Sequence, residues 1–217
     1  EQQGIRNFGF YDDALLVGKR AVFSRFLELV ATRWPRTQAA AGRRDATSGE
    51  SGGACIQSTG PSFYLPNAVH MRHLDEDTAR LMKEAGVGEV RLGFESDSED
   101  FHQEHNAGAG TVGTKTGRAS LREVSRMLRG AGFRSSQVGV YVLAGLPGQR
   151  REEVEHAVRS AGEEGINVYV SEFSPVPGSR LWERCVAESR FPIAEEPLYQ
   201  NNTLLPNGWD GFTRADL

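Results

Sequence analysis

The chain has little cysteine, no long apolar run and no block of positive charge, and each shortage excludes a class of protein. Its two cysteines, Cys55 and Cys185, lie far apart without Cys-x-x-Cys spacing, so neither a disulfide framework nor a zinc site is expected. No run approaches the roughly 18 apolar residues of a membrane span, and the charged first thirty residues do not suit a signal peptide. A net charge of -4 does not indicate a protein that binds nucleic acid, since such proteins usually carry clustered positive charge.

The composition fits a globular protein of the cytoplasm. With 217 residues, 38% of them hydrophobic, the chain is long enough to bury one sizeable core. It opens at Glu1, without methionine, directly into a β-prone stretch. We therefore expect a fragment of a longer protein.

Strand-like and helix-like patterns alternate along the chain. The apolar and β-prone stretches predict five strands, at 5–10, 62–65, 89–94, 138–143 and 166–173. Helical spacing predicts helices at 21–31 and 74–85, a third opening at the capping box Ser120 to Glu123, and a fourth containing Val154, Ala157, Val158 and Ala161. Strands that alternate with helices, and that are apolar on both faces, indicate an α/β fold with parallel strands and right-handed crossovers.

Two segments do not share this periodicity. Residues 34–60 are rich in glycine, alanine, serine and arginine, and we expect a disordered insertion there. Residues 191–217 are expected to form a C-terminal extension over the surface. Residues 1–190, apart from the insertion, are expected to form the main α/β unit.

Polar or glycine-rich residues follow every predicted strand. They are Asp12–Asp13, Pro66–Asn67, Glu95–Ser96, Gly145–Gly148 and Ser174–Gly178. In parallel sheets and barrels, ligands bind at the carboxyl edge of the strands, so these residues are the candidate site.

Each of these positions also has an ordinary structural interpretation. A carboxylate of Asp12 or Asp13 is suited to an ammonium group or a metal, but aspartate is also a favoured helix cap. The pair Glu95–Ser96 suits either ligand hydroxyls or turn chemistry. Glycine at 145 allows close approach of a flat ligand, although its surroundings match neither a P-loop nor a dinucleotide fingerprint.

Several segments together resemble the radical S-adenosylmethionine (radical SAM) enzymes, in particular the branch preceded by a cobalamin-binding domain. The segments, in chain order, are FYDDAL (10–15), PNAVH (66–70), LGFES (92–96), VYVLAGLPGQ (140–149) and SEFSPVPG (171–178). The resemblance implies a partial (β/α)6 TIM-barrel-like core containing strands two to six. The family's first strand, whose loop carries three cysteines that hold a [4Fe-4S] cluster, has no counterpart in this sequence, so the cluster ligands are not expected in this chain.

The resemblance also assigns expected roles to residues by position. Asp12 or Asp13 resembles the acid that binds the methionine ammonium of S-adenosylmethionine, and Glu95 and Ser96 resemble ligands of its ribose or methionyl end. Gly145 and Leu146 resemble the segment lying along adenine. Ser174, Pro175 and Val176 would close the other side of the adenine ring.

The function implied is that of the C-terminal part of an enzyme that reductively cleaves S-adenosylmethionine at a [4Fe-4S] cluster, inactive as this fragment. An upstream cobalamin-binding domain or a missing N-terminal segment is the expected partner. The alternative is a non-catalytic barrel remnant that acts as a binding or interaction module. A metal-dependent hydrolase using Asp12 and Asp13 is less well supported, because the His-x-His cluster of such sites is absent from the sequence.

Overall fold

A computed structural model describes residues 4–12, 14–36, 60–95, 118–207 and 215, and within them one sheet forms the centre of the molecule. Five strands pair in the order β1-β2-β3-β4-β5, and every pairing is parallel. The strands are β1 (Asn7–Gly9), β2 (Ser62–His70), β3 (Val87–Glu95), β4 (Val138–Ala144) and β5 (Asn167–Glu172). The predicted α/β class with parallel strands is confirmed.

Helices connect the strands. They are α1 (Phe23–Arg33), α2 (Glu76–Ala85), α3 (Arg118–Gly130), α4 (Arg151–Glu163) and α5 (Trp182–Glu188). Short 3-10 turns lie at Met71–His73, Ser135–Gln137, Pro197–Gln200 and Asn202–Leu204. Among the described helices, none combines the length and the apolar character that crossing a membrane requires.

The hydrophobic core lies between one face of the sheet and helices α1 to α4. Strand residues of this face alternate with residues of the opposite face, and both sheet and helices contribute fully buried side chains. The core includes Phe63, Leu65, Val90, Leu92, Val140 and Val142 from the sheet, and Leu27, Met82, Leu121, Leu128, Ala157 and Ala161 from the helices. Consecutive strand order with helices on one side is the winding of a β/α barrel, since a doubly wound sheet reverses its order.

Strand β2 is longer than the sequence pattern predicts. The apolar run was expected to end before Pro66–Asn67, but the strand continues to His70. Its pairing with β3 shifts register between Leu65 and Val69. A proline lacks the N–H that a regular ladder uses, so it is tolerated where the ladder is irregular. The expectation that these two residues follow the strand is therefore wrong.

Helix boundaries also differ from the predicted ones by a few residues. Helix α2 begins at Glu76 rather than near Leu74, because the Asp75 carboxylate caps it by accepting from the Thr78 N–H at 2.8 Å. Helix α3 begins at Arg118, so Ser120 lies inside its first turn instead of capping it.

The described part of the C-terminal extension is held against α5. The Asn207 side chain, buried in the molecule, donates to the Cys185 carbonyl at 2.8 Å, and the Arg190 N–H donates to the Pro206 carbonyl at 3.0 Å. Leu205, which directly precedes Pro206, is buried and adopts a left-handed backbone conformation with φ of 47°.

Candidate functional site at the carboxyl edge of the sheet

All five strands end on the same edge of the sheet, because they are parallel and joined in consecutive order. The loops that follow β4 and β5 therefore leave from adjacent positions along this edge, and the loop after β1 leaves from the other end of the strand order. The carboxyl edge of such a sheet is where polar groups from separate loops surround a ligand. Of the predicted residues that the structure describes, Asp12, Gly145, Leu146, Ser174, Pro175 and Val176 lie on loops after strands, and Glu95 is the last residue of β3, whereas Pro66 and Asn67 lie within β2.

Asp12 lies on the exposed turn after β1. Its Oδ1 accepts a hydrogen bond from the Ala14 N–H at 2.8 Å, so the side chain shapes the turn locally. This is the ordinary structural role of aspartate at such a position. Asp13 lies outside the described residues.

Glu95 is the last residue of β3, where it stands opposite Val142 of β4. The register between these strands shifts between Gly93 and Glu95, so the end of β3 departs from a regular ladder. Such irregularities are typical of strand ends that re-aim a side chain. Ser96 lies outside the described residues.

The loop after β4 is held by the side chain of Gln149. This buried amide accepts from the N–H groups of Gly145 at 2.9 Å and Leu146 at 3.3 Å, and it donates to the Leu143 carbonyl at 2.8 Å. Gly145 has a φ of 90°, which side chains rarely adopt. The loop is therefore a fixed backbone surface, and sequence reasoning did not assign the Gln149 contacts that fix it.

The C-terminal extension contacts the loops after β4 and β5. The Ser174 hydroxyl donates to the Gln200 carbonyl at 2.6 Å. A Cβ placed on Gly145 would lie 3.0 Å from a methyl group of Leu205. Pro175 is buried, whereas Val176 is 57% exposed. Each of these two loops thus has a residue close to the C-terminal extension, and Ser174 and Val176 remain exposed.

A salt bridge between Lys19 and Asp75 joins the segments that follow β1 and β2. Lys19, only 13% exposed, donates to the Asp75 carboxylate at 2.6 Å and also to the His73 carbonyl. Partial burial raises the pKa of Asp75, but hydrogen bonds from Lys19 and Thr78 outweigh this effect and lower the pKa to about 2. Burial and the neighbouring Arg72 cation lower the pKa of His73. The Lys19 contact could not be predicted from the sequence, because it joins residues far apart in the chain.

The face of the sheet opposite the helices, called here the open face, carries a polar network that sequence reasoning missed. The Arg91 guanidinium donates to the Glu89 carboxylate at 2.9 Å and to the Tyr141 hydroxyl at 2.7 Å. Tyr141 donates in turn to the Pro66 carbonyl at 3.1 Å, and the Tyr169 hydroxyl donates to Glu89 at 3.1 Å. The network therefore links β2, β3, β4 and β5.

The network also shifts the protonation of its members. Hydrogen bonds to Tyr141 and Glu89 raise the pKa of Arg91, and burial together with the Glu89 carboxylate raises the pKa of Tyr169. The available sequence signal was the alternation of Glu89 and Arg91 with the apolar Val90. This pattern places both charges on the face away from the core.

The described residues do not fit a [4Fe-4S] cluster. Cys185 is fully buried in α5, and burial, with a further contribution from the Glu188 carboxylate, raises the pKa of its thiol. Cluster ligation requires several cysteine thiolates arranged around one point. Across the described ranges, no three histidine, cysteine or acidic side chains are placed to share a metal.

The fold belongs to the class seen in radical SAM enzymes, and comparisons with known proteins agree. The chain aligns with TsrM from Kitasatospora setae, a radical S-adenosylmethionine methyltransferase solved with cobalamin and a [4Fe-4S] cluster, with a TM-score of 0.58 and 17% identity over 88% of this chain and 31% of that chain. The same enzyme, solved with its tryptophan substrate and a SAM analogue, aligns with a TM-score of 0.57 and 16% identity over 85% of this chain and 31% of that chain.

By sequence, the chain is similar to an uncharacterised methyltransferase of Pyrococcus horikoshii, with 28% identity over 74% of this chain and 30% of that protein. No protein-family model matches the chain. The resemblance to radical SAM enzymes is thus confirmed at the level of the fold. The chain spans less than a third of the length of these relatives.

Proposed function

We propose that this chain is the C-terminal part of a radical SAM barrel and that the carboxyl edge of its sheet binds S-adenosylmethionine. The observation that carries the proposal is the order of the sheet, in which five parallel strands follow one another with helices α1 to α4 on one side. The structural likeness to TsrM supports it over most of the chain.

The loops after β4 and β5 hold the adenine in this proposal. Gln149 fixes the Gly145 and Leu146 N–H groups, so the backbone there does not need to reorganise when a flat ring approaches. The glycine leaves this surface without a side chain that would block the ring. In this proposal Ser174, Pro175 and Val176 close the other side of the ring. The C-terminal extension contacts both loops, through Gln200 at Ser174 and through Leu205 near Gly145.

The polar end of S-adenosylmethionine lies toward β1 and β3. A carboxylate of Asp12 or Asp13 accepts from the methionine ammonium, and Glu95 and Ser96 bind the ribose or methionyl end. When bound, the cluster would supply the electron that cleaves the sulfonium. Its cysteine ligands, and an upstream cobalamin-binding domain, belong to other parts of the whole protein in this proposal.

Calorimetric titration with S-adenosylmethionine tests the proposal. The chain alone lacks the iron anchor, so only hydrogen bonds of about 1 to 3 kcal/mol each remain and we expect an affinity weaker than micromolar. The protein extended by its upstream coding sequence and reconstituted with iron and sulfide should bind S-adenosylmethionine tightly and release 5'-deoxyadenosine under reduction. A Gly145→Val variant should lose this activity.

A reconstituted protein that assembles a cluster but neither binds nor cleaves S-adenosylmethionine would overturn the proposal. Micromolar affinity in the chain without iron would overturn the assigned role of the cluster as the main anchor. Leu198→Ala provides a matched surface control, since this residue of the C-terminal extension is 78% exposed. It should leave binding unchanged.

A further inference from the structure

The open face of the sheet is not filled as a barrel interior normally is. Barrel interiors are packed with layers of branched aliphatic side chains. Here Leu143 of β4 is aliphatic, but several positions on this face are small or polar, and they lie around the network of Glu89, Arg91, Tyr141 and Tyr169. The small positions include Ala68, Gly93 and Gly139. A face of this composition is suited to hold a polar ligand rather than a dry core.

Arg91 is the cation of this face, and its orientation is fixed on several sides. Its guanidinium lies 4.5 Å from the centre of the Tyr169 ring and 5.8 Å from that of Tyr141. Its Nε donates to Glu89 and its Nη1 donates to Tyr141. A guanidinium fixed in this way needs little ordering when it binds an additional group.

One edge of this guanidinium remains for a ligand. Within the part of the chain that the structure describes, Nη2 of Arg91 has no hydrogen-bond partner, and the side chain is 28% exposed. Nearby, the Tyr141 and Tyr169 rings lie 5.6 Å apart, and Tyr64 is 43% exposed on the same face. A charged donor thus lies beside flat apolar surfaces.

The network is positioned too deep to serve the cofactor site of the proposed function. Arg91 precedes Glu95, the strand end assigned to S-adenosylmethionine, by four residues of β3. At the rise of an extended strand this separation is about 13 Å. A group at Arg91 therefore lies on the open face, nearer the start of β3 than the proposed cofactor site is.

We propose that Arg91 and the tyrosine rings around it form an anchor for an aromatic or conjugated carboxylate on the open face. The carboxylate accepts from Nη2 of Arg91, and the flat part of the ligand packs on the tyrosine rings. That this ligand is the substrate of the enzyme rests on the proposed function, whereas the existence of the binding site does not.

The competing interpretation is that the same four side chains only stabilise the sheet, through hydrogen bonds between its strands. The two interpretations differ in the sign of the effect at Glu89. Its carboxylate repels an incoming anion, so a binding site predicts that Glu89→Gln strengthens anion binding. A purely structural role predicts that both Glu89→Gln and Arg91→Gln lower the melting temperature and that neither changes the affinity for a ligand.

The experiment measures binding of benzoate, with benzamide as its neutral counterpart, to the chain by ligand-observed saturation-transfer NMR. We expect benzoate to bind and Arg91→Gln to weaken it by about tenfold, the value of one charge-assisted hydrogen bond. Arg91→Lys should weaken binding less. Glu89→Gln should strengthen it roughly two- to fivefold, the range of a partly exposed charge pair. Benzamide binding should be similar in all these variants.

Two controls separate the alternatives. Tyr169→Phe removes the bond to Glu89 but keeps the ring and the guanidinium, so it should lower thermal stability while benzoate binding remains. S-adenosylmethionine, which also has a carboxylate, should not compete with benzoate, because its proposed site is at the strand ends. Competition would assign Arg91 to the cofactor and overturn the substrate anchor.

Equal benzoate binding by the parent chain and a folded Arg91→Gln variant would also overturn the proposal, as would no benzoate binding by the parent chain. None of these results depends on cluster assembly or on S-adenosylmethionine cleavage. A failure of the anchor is therefore distinguishable from a failure of the proposed function.

Discussion

The ammonium group of Lys19 donates to the Asp75 carboxylate at 2.6 Å, and this contact joins the turn after β1 to the first turn of α2. The same carboxylate caps α2 through the Thr78 N–H and hydroxyl. One side chain thus supports a helix start and the turn that carries the candidate residue Asp12.

Acid should weaken this contact in a defined pH range. The pKa of Asp75 is about 2 in the folded chain and about 3.9 in an unfolded one. A lowered folded pKa stabilises the fold above pH 4, and the contribution is lost as the pH falls through about 2. Since the carboxylate is 49% exposed, we expect about 1 kcal/mol from it, to be measured by urea unfolding at several pH values.

Substitutions of Asp75 and Lys19 separate the stability contributed by the helix cap from that contributed by the ion pair. Asp75→Asn keeps a capping oxygen, so it should lose the acid dependence while retaining most of the stability. Asp75→Ala should lose a further 1 kcal/mol or so, the typical value of an N-cap. If Lys19→Met leaves the acid dependence unchanged, the ion pair is not its source.

The loop after β4 should not tolerate a side chain at Gly145. Gly145→Ala places a methyl group in a left-handed conformation and 3.0 Å from Leu205, so we expect destabilisation of about 1 to 3 kcal/mol in thermal or urea unfolding. Gly178→Ala is the matched control, because Gly178 has a φ of 77° but open space around it. Equal losses in the two variants would show that the Leu205 contact has no effect.

The open face should respond differently to alanine at two of its glycines. A Cβ on Gly139 would lie 2.5 Å from the Tyr169 ring, whereas one on Gly93 would lie 3.6 Å from the nearest atom, in Ala68. We expect Gly139→Ala to cost about 1 to 3 kcal/mol by displacing the ring, and Gly93→Ala to be close to neutral. Near-ultraviolet circular dichroism should report the tyrosine displacement in the first variant alone.

The Gln149 amide should be necessary for the order of the β4 loop. Gln149→Leu leaves two N–H groups and one carbonyl without their partner in a buried place, which costs about 1 to 3 kcal/mol for each unsatisfied group. Gln149→Glu retains the acceptor but loses the donation to Leu143. We expect amide hydrogen exchange at Gly145 and Leu146 to accelerate most in the leucine variant. Unchanged exchange there would contradict this role.

The sequence was sufficient to predict the class of the fold because local signals agree along most of the chain. Each of the first four apolar strand patterns is followed by helical spacing, and parallel strands require such crossovers. The residue at which each strand ends was harder to predict from the sequence. Pro66 indicates the end of a strand from sequence alone, and only the register shift against β3 shows how the strand continues past it.

The candidate site was predicted in part, for a physical reason. Glycine and acidic residues after strands are visible in the sequence, so Asp12, Glu95 and Gly145 could be proposed as candidates, and the structure describes all three at strand ends or on the loops that follow. The Arg91 network was missed for two reasons. Tyr169 lies far from Glu89 in the chain, and Glu89 and Arg91 alternate with core residues in the same way as ordinary exposed strand positions. Hydrogen bonds between strands depend on the register, which a single sequence does not specify.

The shortness of β1 has a consequence for handling the protein in solution. This strand has three residues, and within the described ranges it pairs with β2 alone. Few consecutive amide and carbonyl groups are therefore available there for a second molecule to extend the sheet, which is the usual route to ordered aggregates. Loss of material at high concentration should accordingly be countered at the longer edge strand β5, or by masking apolar side chains such as Leu29 on α1, which is 71% exposed, rather than by blocking the β1 edge.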